Sequence, residues 1–217
     1  MVREILEGDG WEFPAIVYKP EKIEGELPLI IQIHGAGEVG DGGEELIKVE
    51  RHGFSNLLKT GKDYPCILVM PQCPKVSLWA AEIPNFYRYI KQLIDAYPVD
   101  IQRICLTGLS MGGYGTWFIA MRHPHIFAAI APICGGGMPW RADAIDMPVW
   151  AWHGSEDEAV FPSASMEMIH EIRKTGINKG DVRLTIVDGV AHDVWDYAYQ
   201  DELMQWLLAQ ERKDAYV

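Results

Sequence analysis

The stretch that decides the reading is RICLTGLSMGGYGTWFIAMR, residues 103–122. Arg103 to Thr107 is mostly apolar and reads as a strand, while Tyr114 to Arg122 reads as a helix. Between them lies Gly108-Leu109-Ser110-Met111-Gly112-Gly113, a serine in G-x-S-x-G spacing. A chain that passes straight from strand to helix bends sharply, and glycines on either side remove the Cβ clashes that such a bend causes. The serine hydroxyl is pushed out of the sheet, and the amides that open the helix favour negative charge beside it. A plain glycine-rich turn has the same composition, so the rest of the chain has to decide between the two.

Outward from this turn, the chain alternates. Apolar runs at Ala15–Tyr18, Leu29–His34, Cys66–Met70, Arg103–Thr107, Ala128–Ile133, Val149–His153 and Arg183–Val187 suit strands buried on both faces, as in a parallel sheet. Phe86, Tyr89, Ile90, Leu93, Ile94 and Tyr97 recur with helical period and stop at Pro98. A second stripe, Ala164, Met168, Ile169 and Ile172, opens at Pro162-Ser163 and closes at Gly176; Leu203, Trp206 and Leu207 make a third. Strand and helix in alternation predict a mostly parallel α/β sheet flanked by helices on both faces. Gly8-Asp9-Gly10 predicts an antiparallel hairpin at the start.

The 217 residues contain no repeat or linker, so a single α/β domain over 1–217 is expected. Thirty-one acidic against 19 basic residues give a formal charge of −12, a field that repels nucleic acid and anionic membranes. No apolar run approaches the roughly 20 residues of a membrane helix, and the first residues lack a secretory layout, so a cytoplasmic location is expected. Cys66, Cys73, Cys105 and Cys134 have no CxxC spacing and read as buried thiols; no metal site is expected.

A serine hydroxyl is a weak nucleophile at neutral pH and needs a base, with an acid to orient that base. In a strand–helix alternation these follow the serine as acid and then histidine, each on a loop after a strand. The strand Met147–His153 leads to Gly154-Ser155-Glu156-Asp157-Glu158, where Asp157 is the expected acid and Glu156 and Glu158 are neighbours that could replace it. Val182–Val187 leads to Asp188-Gly189-Val190-Ala191-His192, which makes His192 the expected base. His170 falls mid-helix, and His34 and His153, each in an HG pair, read as structural residues bonded to backbone. The amide of Met111 is one expected oxyanion donor, and the second is Ala36, or failing that Gly37, in the loop His34-Gly35-Ala36-Gly37-Glu38.

HGAGE, PQCP with Trp79 nearby, GLSMGG, WHGSED and GVAHDVW occur in that order across about residues 25–210. Together they resemble the α/β-hydrolase superfamily, and within it the small serine esterases grouped with feruloyl and acetylxylan esterases and polyhydroxybutyrate-depolymerase-like proteins. The resemblance implies Ser110 as nucleophile, Asp157 as acid, His192 as base and the amides of Ala36 and Met111 as oxyanion hole, with no cofactor. Dienelactone hydrolases carry cysteine at the nucleophile position, and Ser110 argues against that branch. Few residues separate Ile133 from Val149, where lipases of this superfamily insert a lid, so an open cleft for short or aromatic acyl groups is expected, with a small-molecule or oligosaccharide ester as substrate. Trp79, Trp195 and Trp140 are candidate cleft walls. A peptidase or thioesterase on the same scaffold is the alternative; a non-catalytic binding module would lack a triad member, and none is missing.

Overall fold

In the computed structural model, which describes residues 1–217, the apolar runs form one eight-stranded sheet. Its strands are β1 (Val2–Leu6), β2 (Ala15–Lys19), β3 (Leu27–Ile33), β4 (Ile67–Pro71), β5 (Val99–Leu109), β6 (Ala129–Ile133), β7 (Val149–Gly154) and β8 (Val182–Val187). They lie in the order β1-β2-β4-β3-β5-β6-β7-β8. β2 runs antiparallel to both β1 and β4, and every other pairing is parallel. The hairpin at Gly8-Asp9-Gly10 forms, with Leu6 opposite Ala15. β1 itself carries little apolar signal, because only Leu6 of VREIL is buried. β5 begins at Val99, ahead of its apolar run, because the pairing of Leu27 with Val99 extends the ladder into a stretch that is only partly buried.

Alternate residues of each central strand point to opposite faces, so each face needs its own cover. Leu29, Ile31 and Ile33 pack into one apolar layer with α2 (Ile83–Ala96), α3 (Met111–Arg122) and α4 (Ser163–Thr175). Ile30, Leu68 and Cys105 pack into the other, with α1 (Phe54–Leu58), α5 (Trp195–Ala198) and α6 (Asp201–Leu208). α2 buries Phe86, Tyr89, Ile90 and Leu93, the face its periodicity marks out, and α4 ends at Gly176 in the left-handed region at φ 63°. α1 and α5 are too short to show a helical period in the sequence, and the 3₁₀ stretch Gly43–Glu50 does not follow the α-helical period.

Parallel strands deliver their C-terminal ends to one edge of the sheet, and the loops after β3, β5, β6, β7 and β8 gather there. Between β6 and β7 the chain holds only the 3₁₀ segment Pro139–Ala144, so no long lid covers that edge. No helix is long and apolar enough to cross a membrane.

Candidate active site

Ser110 joins β5 to α3 with φ 54° and ψ −114°. Positive φ in a non-glycine residue occurs at one other place, Cys134, where φ is 40° at the end of β6. Such a conformation costs about 1–3 kcal/mol and persists only where the surroundings impose it. Here the Ser110 amide donates to Ile133 O at 2.9 Å, and its carbonyl accepts from the Tyr114 amide at 3.0 Å. A Cβ on Gly112 would lie 2.3 Å from Ile33 O and 2.7 Å from His34 O, so only glycine lets the first turn of α3 sit this close to β3.

The hydroxyl that this bend presents meets a continuous relay. Ser110 Oγ lies 2.9 Å from His192 Nε2, and His192 Nδ1 lies 2.7 Å from Asp157 Oδ2. The Asp157 side chain has no exposed surface, and its Oδ1 accepts the amides of Ala159 and Val160, each at 2.9 Å. A carboxylate can only accept, so Nδ1 of His192 carries the proton and Nε2 is free to take one from Ser110. Glu156 and Glu158 are exposed, which leaves Asp157 alone in contact with His192. Backbone bonds lock the acid and base loops together: Ser155 N to Val187 O at 3.0 Å and Glu156 N to Val190 O at 2.9 Å.

On the other side of Ser110 runs the loop after β3. A Cβ built on Gly35 would lie 3.6 Å from Ser110 Cβ, so this loop passes directly beside the serine, and Ala36 and Gly37 beyond it are exposed to solvent. Met111 opens α3, where first-turn amides have no acceptor within the helix. The loop and the helix N-terminus thus flank the hydroxyl. His34, at the base of the loop, donates from Nδ1 to Gly35 O at 2.6 Å and accepts the Cys73 amide at Nε2 at 2.9 Å. Burial pushes its imidazole down to about 4, so it stays neutral. Gln72 Nε2 donates to Glu38 O at 2.9 Å and braces the far end.

The tryptophans divide. Trp79 is not a cleft wall: it is fully buried among Phe13, Phe86 and His34, and its Nε1 donates to His34 O at 3.0 Å. Its indole is wide enough to fill the core and its N–H happens to reach the strand end that carries the Ala36 loop. Trp140 is 77% exposed on the 3₁₀ segment after β6 and lines a cavity of about 720 Å³ with Pro139, Met166, Glu167 and His170; neither Ser110 nor His192 borders that cavity. Its 3₁₀ segment packs along α4. Trp195 is half-buried and packs edge-to-face on His192 at 5.4 Å between ring centres, with His52 behind it at 5.2 Å.

Three neighbours of the relay carry no signal in the sequence that separates them from ordinary core residues. His52 is one. Cys134 is another: its thiol, an Asp157 oxygen and a His192 nitrogen all lie within 4.8 Å of one another. Burial pushes that thiol up to about 12, and the Asp157 oxygens already hold two amides and His192, so this donor set suits the relay rather than a cation. The third is His153, buried against Asp157 with its Nε2 3.3 Å from Oδ2.

A family model described as the prolyl oligopeptidase family matches residues 78–142, the span that holds Trp79 and Ser110. Over 86% of its length the chain is 25% identical to poly(3-hydroxyalkanoate) depolymerase C of Paucimonas lemoignei, of which it covers 54%. A solved structure of a thermostable esterase superposes with a TM-score of 0.79 at 28% identity, over 97% of this chain and 63% of that one. The fold is that of an α/β-hydrolase. A feruloyl esterase module from Clostridium thermocellum, solved with sinapinate, shares this α/β-hydrolase architecture at 18% identity, with a TM-score of 0.73 over 100% of this chain and 90% of that one. The chain spans about half the length of the depolymerase, so the α/β-hydrolase fold carries over directly while the depolymerase's activity does not.

Proposed function

We propose that this protein is a carboxylic ester hydrolase that works through an acyl-enzyme on Ser110. The observation that carries the reading is the unbroken relay from Ser110 Oγ through His192 to a buried Asp157, at 2.9 and 2.7 Å. Ser110 Oγ attacks the ester carbonyl while its proton passes to His192 Nε2, and Asp157 holds the imidazolium that forms. The oxyanion is assigned to the amides of Met111 and Ala36. The ester C–O bond then breaks, the alcohol leaves with the proton from His192, and a water molecule repeats the sequence to release the acid and restore Ser110. No step draws on a cofactor.

The uncovered edge of the sheet and the Trp195 ring beside His192 support short or aromatic acyl groups on a small-molecule or sugar-linked ester. The match to the prolyl oligopeptidase family supports a second reading, a peptidase acting through the same three side chains. The test is kcat/KM for nitrophenyl acetate, butyrate, octanoate and ferulate and for a peptide anilide, with wild type and Ser110→Ala side by side. The expected result is turnover of acetate or ferulate above octanoate, lost by at least about a thousandfold in the variant. Equal activity in both proteins overturns the nucleophile, and turnover of the anilide alone overturns the ester reading.

A further inference from the structure

His153 stands at the end of β7 and meets the relay only at Asp157. It is the penultimate residue of β7, fully buried, and touches no solvent. Nε2 lies 2.8 Å from Val160 O and 3.3 Å from Asp157 Oδ2, the same oxygen that receives Nδ1–H of His192. Both partners of Nε2 are acceptors, so Nε2 carries a proton. Nδ1 lies 2.8 Å from Ser165 Oγ on α4, and Ser165 Oγ lies 3.0 Å from Gly135 O.

The donors and acceptors balance in two states. With a neutral imidazole, the Ser165 hydroxyl gives its proton to Nδ1. With a second proton on Nδ1, the imidazole donates to Ser165 Oγ and the hydroxyl turns to Gly135 O. Burial pushes His153 below its usual range, with Val160 O and Asp157 pulling upward and His192 pushing down, so the neutral form is the working one. The titratable groups that face it are Asp157 on its own loop and His192 from the loop after β8, with the Cys134 thiol from the end of β6 against Asp157.

We propose that His153 is a positioning residue for the triad acid: its Nε2–H, bonded to Val160 O, lies beside the carboxylate oxygen that His192 uses, and its positive end sets how strongly Asp157 attracts the His192 proton. The inference rests on the serine-triad reading above. A donor near Oδ2 draws off part of its negative charge, and removing that donor strengthens the pull of Asp157 on His192. The base then holds its proton to higher pH.

The experiment is kcat/KM against pH, on a neutral nitrophenyl ester, for wild type, His153→Gln and His153→Phe, with Tm measured alongside. The amide of glutamine keeps an N–H donor and an acceptor for Ser165; phenylalanine keeps the ring and loses both. The expected result is an acid limb moved upward by about half a pH unit or more in His153→Phe, and a limb close to wild type in His153→Gln. An unmoved limb in His153→Phe, with activity lower by one factor at every pH, overturns the proposal and leaves a packing role. Should His153→Phe fail to fold, ¹⁵N-histidine NMR decides: an Nε2–H tautomer at His153 in wild type, with the downfield His192 Nδ1–H resonance staying close to its wild-type position in His153→Gln, is expected. An Nδ1–H tautomer at His153 overturns the proposal. The NMR signature does not need turnover, so inactivity toward every ester would remove the functional reading while this geometry was still being tested.

Discussion

Ser110 carries a backbone conformation that glycine adopts with less strain, and the two demands on this residue, a hydroxyl and a bend, can be separated. Ser110→Ala removes the hydroxyl and keeps the strain; Ser110→Gly removes both. Relief of about 1–2 kcal/mol at positive φ outweighs the roughly 0.5–1 kcal/mol of added chain entropy that glycine brings. Ser110→Gly is expected to have a higher Tm than Ser110→Ala, with both inactive, as thermal unfolding monitored by circular dichroism will show. At this scale the sequence was informative where chemistry imposes an order. Ser110, Asp157 and His192 stand out because an acid and then a histidine must follow the serine, each on a loop after a strand, and burial then separates Asp157 from Glu156 and Glu158. Trp79, read as a cleft wall, and His153, read as structural, were noticed without their roles, since a tryptophan that bonds a strand end and a histidine that lies against a carboxylate look like any other core residue until their partners are known.

The elements that matter most are the loop after β3 and the first turn of α3, which reach Ser110 from opposite sides. Trp79 holds the first of them through its N–H to His34 O, with His34 in turn bonded to Cys73. Trp79→Phe keeps most of the packing and removes that donor, leaving a buried carbonyl unpaired at a cost of about 1–3 kcal/mol. If the loop supplies an oxyanion donor, kcat falls by roughly tenfold while KM and the ranking of acyl groups hold, because the loss is confined to the transition state. A changed acyl ranking in steady-state kinetics would instead mean that the indole meets substrate. The helices covering the sheet were legible from their apolar stripes. The short α1 and the 3₁₀ stretch Gly43–Glu50 were not, since five residues span too little of a period to be told from a loop and a 3₁₀ stretch does not follow the α-helical period.

Taken whole, the molecule is a sheet with a helical layer on each face and a charge of −12. That charge acts on any substrate approaching the open edge. An ester that bears a carboxylate is expected to react more slowly than its neutral analogue at low salt, and its kcat/KM to rise with ionic strength as screening shortens the reach of the field to about 10 Å at 0.1 M. The neutral ester should be nearly flat over the same range, and equal salt dependence for the two would place the acidic residues away from the approach path. Strand order was less legible than strand existence, because apolar runs show that a segment is buried and say nothing about its neighbours. β4 lies between β2 and β3 although it follows both in the chain, an arrangement decided by crossover helices and ladder register.

The relay joins residues 110, 157 and 192, which follow β5, β7 and β8, strands between the middle of the sheet and its far edge. During synthesis, the serine and its strained turn therefore leave the ribosome well before the aspartate and histidine that give the hydroxyl its reactivity. The relay cannot be complete until β7 and β8 have docked. The order of the chain thus makes the relay one of the last parts of the site to come together.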